Sequence, residues 1–200
     1  AQHLWMLPLV DVFEADIHDE AALKRLVAGH DAVVNLVGML HGSEAAFDRV
    51  HVQLPQKLAR ACAATGVRRV LHVSALGASA DAPSMYQRSK ARGEEVLRAA
   101  DLDLTILRPS VIFGPEDRFL NLFARLQRTF PVIPLAGGAT RFQPVWVEDV
   151  ASAALTCLQE RSRIGQTYEA CGPQVLALRD LVRLAGRLGG RERRVLALPM

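Results

Sequence analysis

The chain has 200 residues, half of them hydrophobic and 22% charged, with a net charge of +3 from 24 Lys plus Arg against 21 Asp plus Glu. Such a composition supports one real core with room for a small lobe, and it excludes collagen, mucin-like stalks and wholesale disorder. A charge this small gives nucleic acid no footing as a partner, and three widely spaced cysteines (Cys62, Cys157, Cys171) without a Cys-x-x-Cys read as reduced thiols of a cytoplasmic compartment.

In chain order, Val10 to Asp16 predicts a first strand. The stretch 16–29 (DIHDEAALKRLVAG) predicts a helix, capped by Asp16 or Asp19 and carrying Leu23, Leu26 and Val27 at helical spacing. DAVVNLVG at 31–38 is continuously apolar, the pattern of a strand covered on both faces in a parallel sheet. A long helical segment fills 44–65, with Pro55 inside it to bend or restart it and Gly66 as its C-cap. VRRVLHVS (67–74) is the next buried strand, followed by a small-residue loop at 75–83 and a helix over 85–100. DLTILRPS (103–110) predicts a strand, FLNLFARLQRTF an amphipathic helix, and VIPLAGG a strand or extended turn. A short strand then leads into a helix from Glu148, QTYEACG forms a short strand, and ALRDLVRLAGRLG forms the last helix. Alternating strands and helices with short connections predict an α/β sheet with right-handed crossovers.

The chemistry centres on Tyr86 and Lys90 in YQRSK. Four residues apart on a helix, they share a face. A phenol is a poor base at neutral pH; a neighbouring ammonium stabilises the phenolate and lowers its pKa, so the pair can pass a proton to or from an alcohol or carbonyl oxygen. Lys90 can also donate to the ribose hydroxyls of a dinucleotide. A surface helix with a half-buried Tyr and a solvated Lys has the same spacing. The six histidines form neither His-x-x-x-His nor His-Glu-x-x-His, so no metal site is expected. Asp16, Asp19 and Glu20, like Glu148 and Asp149, sit at helix starts, where acids are ordinary dipole partners. Phe119, Leu122, Phe123 and Leu126 at helical spacing read as core.

Taken with DAVVNLVG, VRRVLHVSALGA, RPSVIFGPED and QPVWVEDVA, the YQRSK motif resembles the extended and atypical short-chain dehydrogenase/reductase superfamily. More narrowly, the chain resembles the group of the alpha-subcomplex subunit 9 type accessory subunit of respiratory NADH:ubiquinone oxidoreductase and its NAD-dependent epimerase/dehydratase relatives. The resemblance runs from residue 11 to about residue 185. It implies a Rossmann-like parallel sheet flanked by helices, with residues 1–110 a partial NAD(P)-binding domain and 111–200 the remaining sheet elements plus a small C-terminal substrate-side lobe.

The resemblance also implies residue roles. Asp16 and Ile17 would hold the adenine, and Asn35, Leu36, Val37 and Gly38 would pass under the ribose and pyrophosphate. Ser74 would stand beside the nicotinamide ribose, Tyr86 and Lys90 would be the catalytic pair, and Pro109, Ser110 and Val111 would line the nicotinamide. Asp16 also fits a helix N-cap, Asn35 a residue satisfied at the sheet edge, and Pro109 a strand end. Three departures stand out. No Gly-rich phosphate loop precedes Asp11, Leu76 stands where the family has a catalytic Ser or Thr (with Ser79 a substitute in the following loop), and His51 stands where the family has a helix Asn. The first departure predicts a piece of a longer protein, poor dinucleotide binding, and an apolar sheet edge at 31–37.

The expected function is an NAD- or NADP-dependent oxidoreductase or epimerase-like activity, with Tyr86 as acid/base and Lys90 in support, on an alcohol or ketone of a small or quinone-like substrate. The alternative is a catalytically weak or inactive nucleotide-binding accessory or assembly subunit of a respiratory complex, peripheral at the inner face of its membrane. The resemblance further implies a homodimer paired through segments 44–65 and 85–100.

Overall fold

The structure, a computed structural model, describes residues 2–198. Four parallel strands form the main sheet in the order β1 (Ala32–Asn35), β2 (Arg69–Val73), β3 (Asp103–Pro109) and β8 (Thr167–Ala170). The register places Asn35 opposite His72, Val70 opposite Leu104, and Pro109 opposite Ala170. Alternation along β2 divides the core. Val70 faces a cluster with Leu23 and Val27 of α1 (Glu20–Val27), Leu58 and Cys62 of α3 (Leu54–Thr65), and Leu97 of α4 (Met85–Arg98). Leu71 faces the other side, against Val150 and Cys157 of α6 (Val147–Gln159). At β2 both sheet faces are thus covered by helices, as its apolar run predicts.

Local chemistry sets the element boundaries. Asp19 Oδ1 accepts the Ala21 N–H and caps α1, while Asp16 Oδ1 accepts the His18 N–H in the preceding turn. Gly66, at φ +78°, ends α3 in the left-handed conformation that glycine adopts without strain. Pro55 restarts the helix as expected. The chain runs from α2 (Glu44–Asp48) through a π turn at Arg49–Gln53 into α3, and Pro55 lies at its first turn. Having no N–H, Pro55 cannot bond the His51 carbonyl four residues back. Gly93 of α4 lies against that carbonyl, where a Cβ would come within 2.0 Å of the oxygen.

A smaller lobe follows. It comprises β4 (Ile112–Phe113), α5 (Leu120–Thr129), β5 (Val132–Ala136), β6 (Arg141–Phe142), β7 (Val145–Trp146), β9 (Leu176–Ala177), α7 (Leu178–Leu188) and β10 (Arg194–Leu198), while α6 packs on the main sheet and β8 joins it. Ile133, Leu135 and Val182, joined by Phe123, Leu126 and Val195, form its core. The apolar stripe of α5 is therefore mainly internal packing, although Leu122 stays 41% exposed.

Two expectations need correction. Val10 to Asp16 forms no strand: among the described residues β1 pairs only with β2, and no strand pairs with residues 10–16. Nor is the segment 31–37 covered on both faces: β1 is an edge strand, and Val34, Leu36 and Val37 are exposed, the apolar edge that the first departure predicts. In addition, β10 pairs in parallel with β5, a strand for which the arginine-rich run before it gave no sign.

Candidate active site

Because the main sheet is parallel, its carboxyl ends lie along one edge, where open α/β sheets bind their ligands. Asn35, Val73, Pro109 and Ala170 end their strands there, and Ser74 follows directly on β2. Ser74 N–H donates to Leu107 O and Leu76 N–H to Pro109 O, which joins the β2 loop to β3. Ser110 N–H donates to Ala170 O, and Val145 N–H donates to Val111 O. The segment 109–111 is thereby tied to β8 and β7.

The amino-terminal half of α4 rises from this edge, capped by Ser84 Oγ accepting from the Gln87 N–H. Lys90 is 3% exposed, and its Nζ donates to Val73 O at 2.8 Å. Burial lowers its pKa to about 8, with the Glu94 carboxylate opposing the shift. A Cβ built on Gly38 would lie 3.9 Å from Lys90 Nζ and 3.7 Å from His51 Nε2. The end of β1 and the Lys90 side chain therefore meet.

Tyr86 is partly exposed, with its ring edge-on to His51 (centroids 5.6 Å apart) and near Phe47 at 6.3 Å. Tyr86, His51, Lys90 and Gly38 thus share one corner. One electrostatic expectation fails. Burial pushes the Tyr86 pKa up, with no compensating pull from Lys90, whose ammonium is drawn to the Val73 carbonyl.

Asn35, together with His72, Glu94, Arg98 and Arg108, to which the sequence assigned no role at the site, holds this corner together. Asn35 Nδ2 donates to His72 Nδ1 at 3.1 Å, and Asn35 Oδ1 accepts the Val37 N–H. His72 is buried and its pKa falls to about 3, chiefly from burial and then from the Lys90 charge. Glu94, 2% exposed, receives both arms of Arg108 at 2.8 and 2.7 Å and one arm of Arg98 at 3.2 Å. Burial alone raises the Glu94 pKa; the arginines reverse this and hold it below the ordinary carboxylate value. The i, i+4 ladder Lys90–Glu94–Arg98 was visible in the sequence, whereas the Asn35–His72 pairing depends on strand register.

The remaining expected site residues are scattered in exposure. Asp16 is exposed in the turn before α1, and Ile17 packs against the α1–α3–α4 core. Leu36 is 70% exposed. Ser79, the substitute for Leu76, is an exposed turn residue whose Oγ accepts the Asp81 N–H. Among the described residues, no group of three or more His, Cys, Asp or Glu could hold a metal ion. Apart from this edge, an apolar cavity of about 660 Å³ lies in the small lobe, walled by Phe113, Leu120, Trp146, Leu181 and Leu188.

The donors at the corner fit the ribose end of a dinucleotide. Lys90 has two N–H donors beyond the one on Val73. His72 Nε2 is buried without a hydrogen-bond partner among the described residues, and the buried Ser74 hydroxyl lies beside Glu94, whose carboxylate it helps keep ionised. The given sequence contains no G-x-x-G-x-x-G run of the kind that cradles a pyrophosphate.

An open parallel sheet with a Tyr–Lys helix at its carboxyl edge defines a Rossmann-like nucleotide-binding protein. The chain belongs to the NAD(P)H-binding family, whose model matches residues 2–161, within the short-chain dehydrogenase/reductase superfamily. It is 36% identical over 173 residues to NADH dehydrogenase (ubiquinone) 1 alpha subcomplex subunit 9, mitochondrial, of Arabidopsis thaliana, covering 84% of this chain and 43% of that protein. It is 31% identical over 202 residues to ceramide reductase of Caulobacter vibrioides, covering 95% and 60%. A double mutant of DesIV, a dTDP-glucose 4,6-dehydratase from Streptomyces venezuelae with NAD bound, superposes with a TM-score of 0.87 at 25% identity over 99% of this chain and 70% of that one. The chain spans less than half the length of the subunit 9 relatives from Arabidopsis thaliana, Mus musculus and Dictyostelium discoideum.

Proposed function

We infer that the full-length protein binds NAD or NADP along the carboxyl edge of the sheet and transfers hydride between it and an alcohol or ketone. The observation that carries this reading is the convergence of Tyr86, Lys90 and Gly38 at that edge. The nicotinamide supplies the hydride, and the protein supplies binding and proton control. Lys90 donates to the ribose hydroxyls, and Ser74 stands beside them. Pro109, Ser110 and Val111 line the ring; Asn35 to Gly38 run under the ribose and pyrophosphate; Asp16 and Ile17 hold the adenine. Tyr86, kept protonated by burial, gives its proton to the oxygen of a ketone being reduced. In this reading residues 1–110 carry the dinucleotide and 111–200 the substrate side. The chain as given binds the cofactor poorly, because it has no pyrophosphate cradle.

A second reading is favoured by Leu76, which cannot hydrogen-bond a substrate, and by the absence of a pull from Lys90 on the Tyr86 phenol. In it the protein is a weak or inactive nucleotide-binding accessory subunit, peripheral at a respiratory membrane, where the dinucleotide stabilises the fold by mass action. The similarity to mitochondrial alpha subcomplex subunit 9 supports this assembly role. Among the described residues no helix is long and apolar enough to cross a membrane.

Titration of full-length protein with NADH and NADPH, followed by a redox assay on alcohols, ketones and quinones with wild type and Tyr86→Phe, separates the two. Turnover that Tyr86→Phe abolishes supports the enzyme. Unchanged binding with no turnover in either protein supports the subunit, and no binding to either cofactor contradicts both.

A further inference from the structure

His51 sits at the junction of the π turn with α4, and its ring is almost wholly buried. Met39 N–H donates to His51 Nε2 at 3.1 Å. An imidazole nitrogen that accepts carries no proton, so the ring proton is on Nδ1. Nδ1–H then donates to Ser89 Oγ at 2.8 Å, and Ser89 Oγ–H donates to the Tyr86 carbonyl at 2.7 Å. The ring is stacked on Phe47 at 5.5 Å and meets the Tyr86 ring edge-on.

We propose that His51, fixed as the neutral Nδ1–H tautomer, is a positioning residue that pins the Gly38–Met39 segment to the Tyr86 turn of α4. Three hydrogen bonds in series, Met39 to His51 to Ser89 to Tyr86, connect the strand end that runs under the dinucleotide with the helix that carries the acid/base. The charged and titratable groups facing the ring are Lys90 and Tyr86 from α4 and His72 from β2. None is a carboxylate, and Lys90 opposes an imidazolium. On the backbone side, Pro55 denies the His51 carbonyl the usual donor four residues on, and Gly93 of α4 abuts that oxygen. An Asn at this position is too short to span both Met39 and Ser89, whereas the two imidazole nitrogens reach in opposite directions. The consequence for the proposed function, on whose reading this part rests, is that cofactor affinity depends on a residue that does not touch the cofactor.

The test uses full-length protein labelled with nitrogen-15. Wild type shows His51 Nε2 as the bare nitrogen, coupled through the hydrogen bond to the Met39 amide, and Met39 exchanges slowly. His51→Ala speeds Met39 exchange about tenfold or more and weakens NADPH binding by a similar factor, while His51→Gln, whose side-chain oxygen can accept from Met39, recovers part of both. The opposite tautomer in wild type overturns the proposal. So does a His51→Ala protein that melts at a lower temperature with Met39 exchange and NADPH affinity unchanged relative to its other amides. The tautomer and exchange readings need no cofactor. A wild type that binds neither NADH nor NADPH therefore sinks the functional reading alone, and the pin is still decided.

Discussion

Lys90 shows how burial sets the behaviour of a single side chain. Out of water its ammonium loses hydration that the neutral amine hardly needs, so the pKa falls to about 8 and the group is still charged at neutral pH. As a donor to ribose it must be charged, so dinucleotide affinity of the full-length protein should fall as pH rises through about 8. Lys90→Arg, which stays charged, should show no such fall. Isothermal titration from pH 6.5 to 9.5 checks both. Hydrogen bonds to a charged group contribute about 1.5–3 kcal/mol each. Lys90→Ala should therefore weaken NADPH binding by roughly ten- to a hundredfold, and Tyr86→Phe much less; equal affinities for the two variants contradict the role given to Lys90. Glu94 makes the complementary point. Replacing it with Gln leaves Arg108 without its charged partner, and breaking a buried pair costs about 3–5 kcal/mol. Urea unfolding of Glu94→Gln should show a loss of that order. The Tyr–Lys pair was legible at this scale because helical spacing is local. The Asn35–His72 bond was not, because it follows from which strands pair and in what register.

At the scale of elements, the π turn and α4 form one unit. Gly93 allows their approach, and any side chain there meets the His51 backbone. Gly93→Ala should lower the thermal midpoint more than Gly66→Ala, which has open space for its Cβ and suffers only a left-handed φ, a penalty of roughly 1–2 kcal/mol. A melt in which Gly66→Ala is the worse of the two would refute the close-approach argument. Strong local signals made most elements readable: Pro55 restarting a helix, Gly66 ending one, and continuous apolar runs marking β2 and β3. Val10 to Asp16 carried a strand pattern too, yet a strand is a pairing, and its apolar residues Val10 and Phe13 lie exposed without one. The opposite error occurred at β10, whose partner β5 lies about sixty residues earlier and left no trace in the local pattern.

The whole molecule exposes 12439 Å², against ~9,000 Å² for a compact protein of this mass. Part of the excess is the open edge of β1, with Val34, Leu36 and Leu40 exposed. Such an edge invites pairing with other chains, so the chain as given should self-associate, and Val34→Lys should raise its monomer fraction in sedimentation velocity. Acid should unfold it by a definable route. Burial first, then Lys90, lowers His51 from 6.5 to about 4, and burial takes His72 to about 3, so both are neutral in the fold. The unfolded chain takes up their protons near pH 6.5. Stability therefore falls as pH drops from about 6.5 toward 4 for His51 and 3 for His72, by about 1.4 kcal/mol per pH unit for each. His51→Gln should flatten that slope by one proton; an unchanged slope would mean that His51 is charged in the folded protein.

The account depends most on where a dinucleotide lands. Amide chemical shifts of the full-length protein, followed during an NADPH titration, test this directly. The predicted result is a contiguous set of shifts at residues 35–39, at Ser74, along the Tyr86–Lys90 turn and at 109–111. Shifts confined to the small-lobe cavity around Phe113 and Trp146, with the Tyr86–Lys90 turn silent, would contradict it.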